Sequence, residues 1–242
     1  MFSSMRSKVI GAGIAAIVIA GGSYGIVTAT SSSATAAAST SSTSSGHAFP
    51  GASGAGGSDS GANARSGPAA GGSIGTASSV SGSGFTLTTA TGEKVTIKEA
   101  SSTTYEQGTS TASASAVTNG APVLVLGTTD NTTITATEVI VSPPASSASS
   151  PGGQVIAYSK GTKGSSQTVG TIPSDYTQGS GTLASGATAD KATEAALAAY
   201  PGGVVDRVVE LGNGDYEVHN IGVNWPHHIF VNQSFQVIGA NS

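Results

Sequence analysis

Residues 191–218 read KATEAALAAYPGGVVDRVVELGNGDYEV, and this stretch decides the fold that we predict for the second half of the chain. Small and apolar residues recur at helical spacing and form one packing stripe. The stripe consists of Thr193, Ala196, Leu197 and Tyr200. A residue that precedes proline resists helical geometry, so the helix should end at Tyr200. Thr188 or Asp190 can cap its beginning. We therefore predict one helix between these positions.

Short strands are predicted after the helix. Val205, Val209 and Leu211 share one strand face, and Asn213 with Gly214 is typical of a hairpin turn. Further strand faces are formed by Tyr216 with Val218, Ile229 with Val231, and Phe235 with Val237. We predict that residues 154–242 form an α+β domain, in which the helix lies across a twisted antiparallel sheet.

These residues resemble the PepSY domain. The resemblance is carried by ATEAALAAYPGG at 192–203, by NGDYEV at 213–218, and by FVN and FQVIG near the C-terminus. The sequence VNWPHH at 223–228 stands where the family has an Asp-Gly turn, so the edge used for partner contact can differ. The resemblance implies an exported domain that accompanies secreted peptidases and inhibits or tunes them. It carries over no catalytic residue.

Residues 72–142 alternate apolar and polar positions in short runs separated by turn residues, which predicts strands. Thr91 with Gly92 indicates a hairpin turn, and the apolar run at 123–126 is typical of a strand covered on both faces. Five strands in this length predict a small all-β barrel. The motifs GFTLTT, VTI, GAPVLVLG and ITATEV resemble an uncharacterised family of bacterial exported domains, which implies an OB-like barrel.

The first 29 residues carry an export signal, because Arg6 and Lys8 precede an uncharged, largely apolar run. Its strongly apolar part is about twelve residues long, shorter than the roughly twenty that span a bilayer, which favours a cleaved signal peptide. An uncleaved N-terminal anchor is the alternative. Residues 30–71, rich in Ser, Thr, Ala and Gly, predict a disordered linker. Residues 143–153, with a proline pair and repeated serines, predict a second linker.

Composition narrows the function classes. The chain has no cysteine, which excludes disulfides, thiol catalysis and cysteine-ligated metals and favours a bacterial secreted or cell-envelope protein. Its 9 Lys and Arg oppose 13 Asp and Glu, for a formal net charge of -4. The cationic residues are scattered singly, whereas nucleic-acid-binding proteins show a clustered positive surface. We expect no nucleic-acid partner, and membrane contact only through an uncleaved N-terminal anchor.

Imidazole and carboxylate groups suit zinc or copper. The C-terminal region supplies both groups, in Asp215, Glu217, His219, His227 and His228. Adjacent residues on a strand point to opposite faces, so His227 and His228 should not share one ion unless Pro226 forces a turn. We therefore predict no metal ligand and no cofactor. Surface or turn histidines are the ordinary interpretation of this cluster.

Serine, histidine and aspartate are all present, but no Gly-x-Ser-x-Gly elbow brings them together, so we predict no catalytic residue and no enzyme. Aromatic and His-rich loops are frequent recognition surfaces. The candidate binding residues are Tyr216, His219, Trp225 and His227. We predict a non-catalytic secreted or cell-envelope protein whose PepSY-like domain binds protein or peptide through an exposed strand edge, and thereby modulates a secreted peptidase. The alternative is an envelope-polymer (glycan) binding or structural module that uses the β-barrel.

Overall fold

The computed structural model describes residues 67–144, 151, 154–159 and 166–242. All of them belong to one compact unit, residues 55–242. The predicted signal peptide or anchor, most of the first linker and most of the second lie outside the described residues. Within the described ranges, no helix has the length and apolar character needed to cross a membrane.

Strands dominate both halves of the described chain. The first half contains β1 (Ala69–Ser81), β2 (Gly84–Thr89), β3 (Lys94–Gln107), β4 (Ser110–Thr111), β5 (Pro122–Asp130) and β6 (Thr133–Val141). The second half contains β7 (Ile156–Ala157), β8 (Thr168–Gly170), β9 (Thr182–Leu183), α1 (Gly186–Ala199), β10 (Val204–Glu210), β11 (Tyr216–Ile221), β12 (Val223–Trp225), β13 (His228–Val231) and β14 (Val237–Asn241).

Twelve of these strands form one sheet. Its main path runs β2-β3-β6-β5-β1-β10-β11-β13-β14-β8, with β4 paired to β3 and β9 paired to β10. The sheet is mixed, because β3 and β6 run parallel while the other pairs are antiparallel. β1 also pairs with β2, so the pairings of β1, β2, β3, β6 and β5 form a closed circuit. β7 and β12 form a separate two-stranded sheet.

The predicted fold class, a small barrel followed by an α+β domain with a helix on its own antiparallel sheet, is wrong. Strands from both predicted regions belong to a single mixed sheet of twelve strands, and the described residues contain one α-helix. That helix contacts β1 and β5 as well as β10, β11, β13 and β14. It therefore does not cover a sheet of its own.

The link between the two regions lies in β1, which begins at Ala69, inside the predicted linker. Gly72 is opposite Leu126 of β5 on one side and opposite Val205 of β10 on the other. A Cβ atom at Gly71 would collide with the Val205 carbonyl oxygen, so only glycine permits this close approach. The Ser73 hydroxyl also donates a buried hydrogen bond of 2.9 Å to the Gly203 carbonyl.

The two predicted ends of the helix have different outcomes. Its end is confirmed, because Tyr200 is the C-cap residue and Pro201 follows it. Its predicted beginning is wrong, since α1 starts at Gly186 with Ser185 as N-cap.

The turn at Asn213 and Gly214 is confirmed between β10 and β11, where Gly214 has a φ of +83°. That left-handed backbone conformation is the reason for glycine at this position.

Candidate metal centre

A row of polar side chains crosses four neighbouring strands of the sheet. Arg207 of β10 is opposite His219 of β11, His219 is opposite His228 of β13, and His228 is opposite Asn241 of β14. Directly opposite residues in antiparallel strands present their side chains on the same face, with Cβ atoms about 5 Å apart. The register of three strand pairs therefore places His219 and His228 side by side.

His227 joins this pair from outside the strands. β12 ends at Trp225 and β13 begins at His228, so the alternation of strand side chains does not apply to His227. Its backbone N–H donates to the Asn241 carbonyl at 2.9 Å, and its carbonyl accepts from the Asn220 N–H at 2.8 Å. These two bonds fix the residue between β11 and β14. The sequence argument against a shared ion rested on strand alternation, and the structure removes that premise.

The three imidazole rings form a compact cluster. Their centroids are 4.3 Å apart for His219 and His227, 4.8 Å for His227 and His228, and 5.2 Å for His219 and His228. One ring nitrogen from each residue lies within 4.8 Å of the other two. In a tetrahedral zinc site with bonds of 2.0–2.1 Å, the ligand nitrogens are about 3.3 Å apart. Modest side-chain rotations would bring the three nitrogens to that distance.

Carboxylates orient two of the three rings. The Nδ1 atom of His219 is 2.6 Å from an oxygen of Asp206, and the Nδ1 atom of His228 is 2.6 Å from an oxygen of Glu217. A carboxylate accepts, so each Nδ1 donates a proton to it, and in a neutral ring the Nε2 atom then has the lone pair for a metal ion. Asp206 is held in turn by the Arg207 guanidinium at 2.9 Å. Metal-binding histidines in proteins commonly have this carboxylate support.

The third ring is kept neutral by its surroundings. Burial first, and then repulsion from His219 and His228 when those rings are protonated, lower the pKa of His227 from 6.5 to about 4. A hydrogen bond to the Asn220 backbone and the charge of Asp206 act in the opposite direction. A neutral imidazole offers the lone pair that a metal ion requires. His227 is therefore ready to act as a ligand near neutral pH.

The cluster is largely shielded from solvent. The exposed fractions are 6% for His219, 3% for His228 and 1% for Glu217, and His227 is half-buried. Tyr176 covers one side, with its ring 5.7 Å from the His228 ring and in edge contact with Phe230 at 4.7 Å. Buried ionisable groups are costly unless they are paired or coordinate a metal. His219 and His228 meet this condition through Asp206 and Glu217.

The four predicted binding residues occupy different environments. His219 and His227 belong to the cluster. Tyr216 is half-buried and stacks on Phe235 with the ring centroids 5.7 Å apart. Trp225 is only 2% exposed and packs in the core beside α1. Binding of a partner by these residues stays a prediction.

Other acidic residues near the cluster have roles that differ from those considered in the sequence analysis. Glu217, considered as a ligand, instead supports His228, and Asp215 lies in the turn, where its backbone N–H bonds to the Asn213 side chain. Asp206 was missed altogether. The spacing of Glu217 and His219, two residues apart on one strand face, was a signal that could have indicated a buried polar row.

Comparisons of the chain with family models, with curated proteins and with solved structures found no match. The resemblance to the PepSY domain and to the exported barrel family therefore stays an untested prediction.

Proposed function

We propose that this protein binds a single transition-metal ion, with Zn²⁺ as the principal candidate, through His219, His227 and His228. One observation carries the proposal: three imidazoles from two strands and an intervening turn converge, and their ring nitrogens lie within 4.8 Å of one another. Imidazole suits zinc, copper and nickel, and three histidines around a tetrahedral position form a known type of zinc site.

The groups around the three histidines also support metal binding. Asp206 and Glu217 accept hydrogen bonds from the Nδ1 atoms of two rings and thereby restrict their orientation before binding. The two carboxylates also supply negative charge close to a divalent cation without occupying its coordination positions. Arg207 shares Asp206 and offsets part of that charge.

Binding would act mainly on the structure of this part of the sheet. The ligands come from β11, from the turn before β13 and from the first residue of β13, so one ion would fasten these segments together. Metal that binds only the folded chain stabilises it. In an exported protein without cysteine, a histidine site of this kind would serve as a structural or metal-holding centre.

The test is a calorimetric titration of the full chain with Zn²⁺ and with Cu²⁺. We expect one ion per chain for the wild type, and a loss of affinity of at least a hundredfold in His219→Gln and in His228→Gln. His47 is the fourth histidine of the chain and lies outside the described residues, so His47→Gln is the matched control and should bind like the wild type. Equal affinity in all four proteins, or no heat with the wild type, would refute the proposal.

Binding of protein or peptide, with modulation of a secreted peptidase, stays a prediction of the sequence resemblance, and so does the alternative of envelope-polymer binding. A non-catalytic role is compatible with a metal centre that holds structure. A pull-down from culture medium with the full chain, with and without zinc, would test the first of these predictions separately from metal binding.

A further inference from the structure

Asn241 presents a buried oxygen that needs a partner. Its side-chain Oδ1 is shielded from solvent and accepts no hydrogen bond from any described residue. Buried side-chain oxygens in proteins nearly always have a hydrogen-bond partner, and each exception calls for an explanation. Asn241 also neighbours the histidine cluster, so the unpaired oxygen and the proposed metal site lie in the same part of the sheet.

The position of Asn241 relative to the cluster follows from strand register. Asn241 is directly opposite His228 in the β13–β14 pair, so the two side chains share a face. The backbone carbonyl of Asn241 accepts the N–H of His227 at 2.9 Å. Asn241 is thus tied to two of the three proposed ligands, on the side of β13 opposite to His219.

This placement favours an intervening molecule over direct coordination. The imidazoles converge between β11 and β13, whereas Asn241 is on β14, one strand further along the sheet. Three protein ligands leave one position open on a tetrahedral ion, and in such sites a water completes the coordination. A water bound to the ion could donate a hydrogen bond across this gap to the amide oxygen.

We propose that a water molecule occupies the fourth coordination position and donates a hydrogen bond to Asn241 Oδ1, which positions it. This inference rests on the proposed metal binding. It makes the site open, in the sense that small monodentate anions of the size of azide can replace the water. Asn241 is a positioning residue in this arrangement, and His219, His227 and His228 are the ligands.

The experiment uses the full chain loaded with Co²⁺, whose visible absorption reports coordination, and titrates it with azide. For the wild type we expect azide to shift the Co²⁺ bands. Asn241→Leu keeps approximate size but loses the acceptor, so it should bind Co²⁺ about tenfold more weakly. It should also bind azide several-fold more tightly, because the displaced water is held less firmly. Asn241→Asp keeps the acceptor and should restore Co²⁺ affinity.

Asn224→Leu is the control, since Asn224 donates only a long bond of 3.4 Å to the Ala157 carbonyl. It should match the wild type in both measurements. Opposite changes in Co²⁺ and azide affinity would not follow from general damage to the fold. Wild-type Co²⁺ affinity in Asn241→Leu, or a Co²⁺ spectrum that azide leaves unchanged, would overturn this inference alone. Failure of the wild type to bind Co²⁺ would overturn this inference, and failure to bind Zn²⁺ and Cu²⁺ as well would overturn the proposed function together with it.

Discussion

Two regions of the sheet bury very different side chains. The circuit of β1, β2, β3, β6 and β5 encloses a cluster of apolar residues that includes Leu87, Ile97, Ile134 and Val139. Further along the same sheet, β10, β11 and β13 bury charged and polar groups in addition to apolar residues of the cluster around α1. The charged and polar groups are Arg207, Glu217, His219, Asn220 and His228.

The two regions differ in what the buried side chains require from their surroundings. Apolar burial is favourable at roughly 25 cal/mol per Å² and needs no specific partner. Buried carboxylates and imidazoles must find partners, and here they find each other at 2.6 Å. Replacing such pairs by apolar residues is often neutral or stabilising in other proteins, so stability alone does not explain them. A ligand does.

The largest expected effect belongs to the apolar region. Leu87→Ala removes a fully buried side chain and should lower the free energy of unfolding by about 2–5 kcal/mol, because it leaves a cavity. Urea unfolding measures this change. Leu183→Ala, at a position that is 40% exposed, is the control and should stay within about 0.5 kcal/mol of the wild type. A change in zinc affinity in Leu87→Ala that matches its loss of stability would contradict the separation of the two regions.

Zinc should stabilise the protein through the polar region. At a free Zn²⁺ concentration of 100 times Kd, the free energy of unfolding should rise by about 2.7 kcal/mol, because the ion binds only the folded chain. Thermal unfolding with and without the metal measures the increase. At the same zinc concentration His219→Gln should show an increase of at most about 0.4 kcal/mol, and His47→Gln should show the full increase. An equal increase in both variants would place the bound ion elsewhere.

Glu217→Gln tests the carboxylate support. The amide keeps the shape of the side chain but removes the charge that orients His228, so zinc should bind about 10–100-fold more weakly. That factor corresponds to about 1.4–2.7 kcal/mol. Glu210→Gln alters an exposed carboxylate at the end of β10 and serves as the control. Unchanged zinc affinity in Glu217→Gln would mean that the Glu217–His228 pair has a purely structural role.

The smallest expected effect, because solvent screens a half-buried group, is a dependence of stability on pH. The folded pKa of His227 is about 4, below its ordinary 6.5, so the unfolded chain takes up this proton first as the pH falls. The contribution of His227 to stability without metal should therefore decrease from about pH 6.5 to pH 4 and level off below. Replacement by His227→Gln should remove this contribution. The unfolding free energy of the wild type minus that of the variant, measured across that range, should fall as the pH is lowered. A difference that does not change with pH would contradict the lowered pKa.

Part of the structure followed from local sequence. Pro201 ended the helix because the residue before proline avoids helical geometry, and the Asn213-Gly214 pair formed the expected turn. The start of the helix was predicted too late: the N-cap residue is Ser185, one turn before Thr188, although its side chain makes no capping hydrogen bond. Such choices depend on small local energies, and the surrounding structure decides between them.

The candidate site was only partly accessible from the sequence. The histidines were visible as residue types, but alternation along a continuous strand argued against their meeting. The break between β12 and β13 placed His227 outside that rule, and the registers of β11, β13 and β14 set His219, His228 and Asn241 in one row. Register is fixed by pairing between distant segments, which no local pattern of residues specifies.

The sequence by itself determined the abundance of strands, the end of the helix, the turn residues and the lack of cysteine chemistry, because each depends on neighbouring residues or on composition. Tertiary structure alone decided that the two predicted regions share one sheet. It did so through β1, whose small Gly71 and Gly72 allow β5 and β10 to pair on either side. Tertiary structure also determined that the three histidines lie close together, since the convergence of side chains from separate strands depends on long-range pairing and packing.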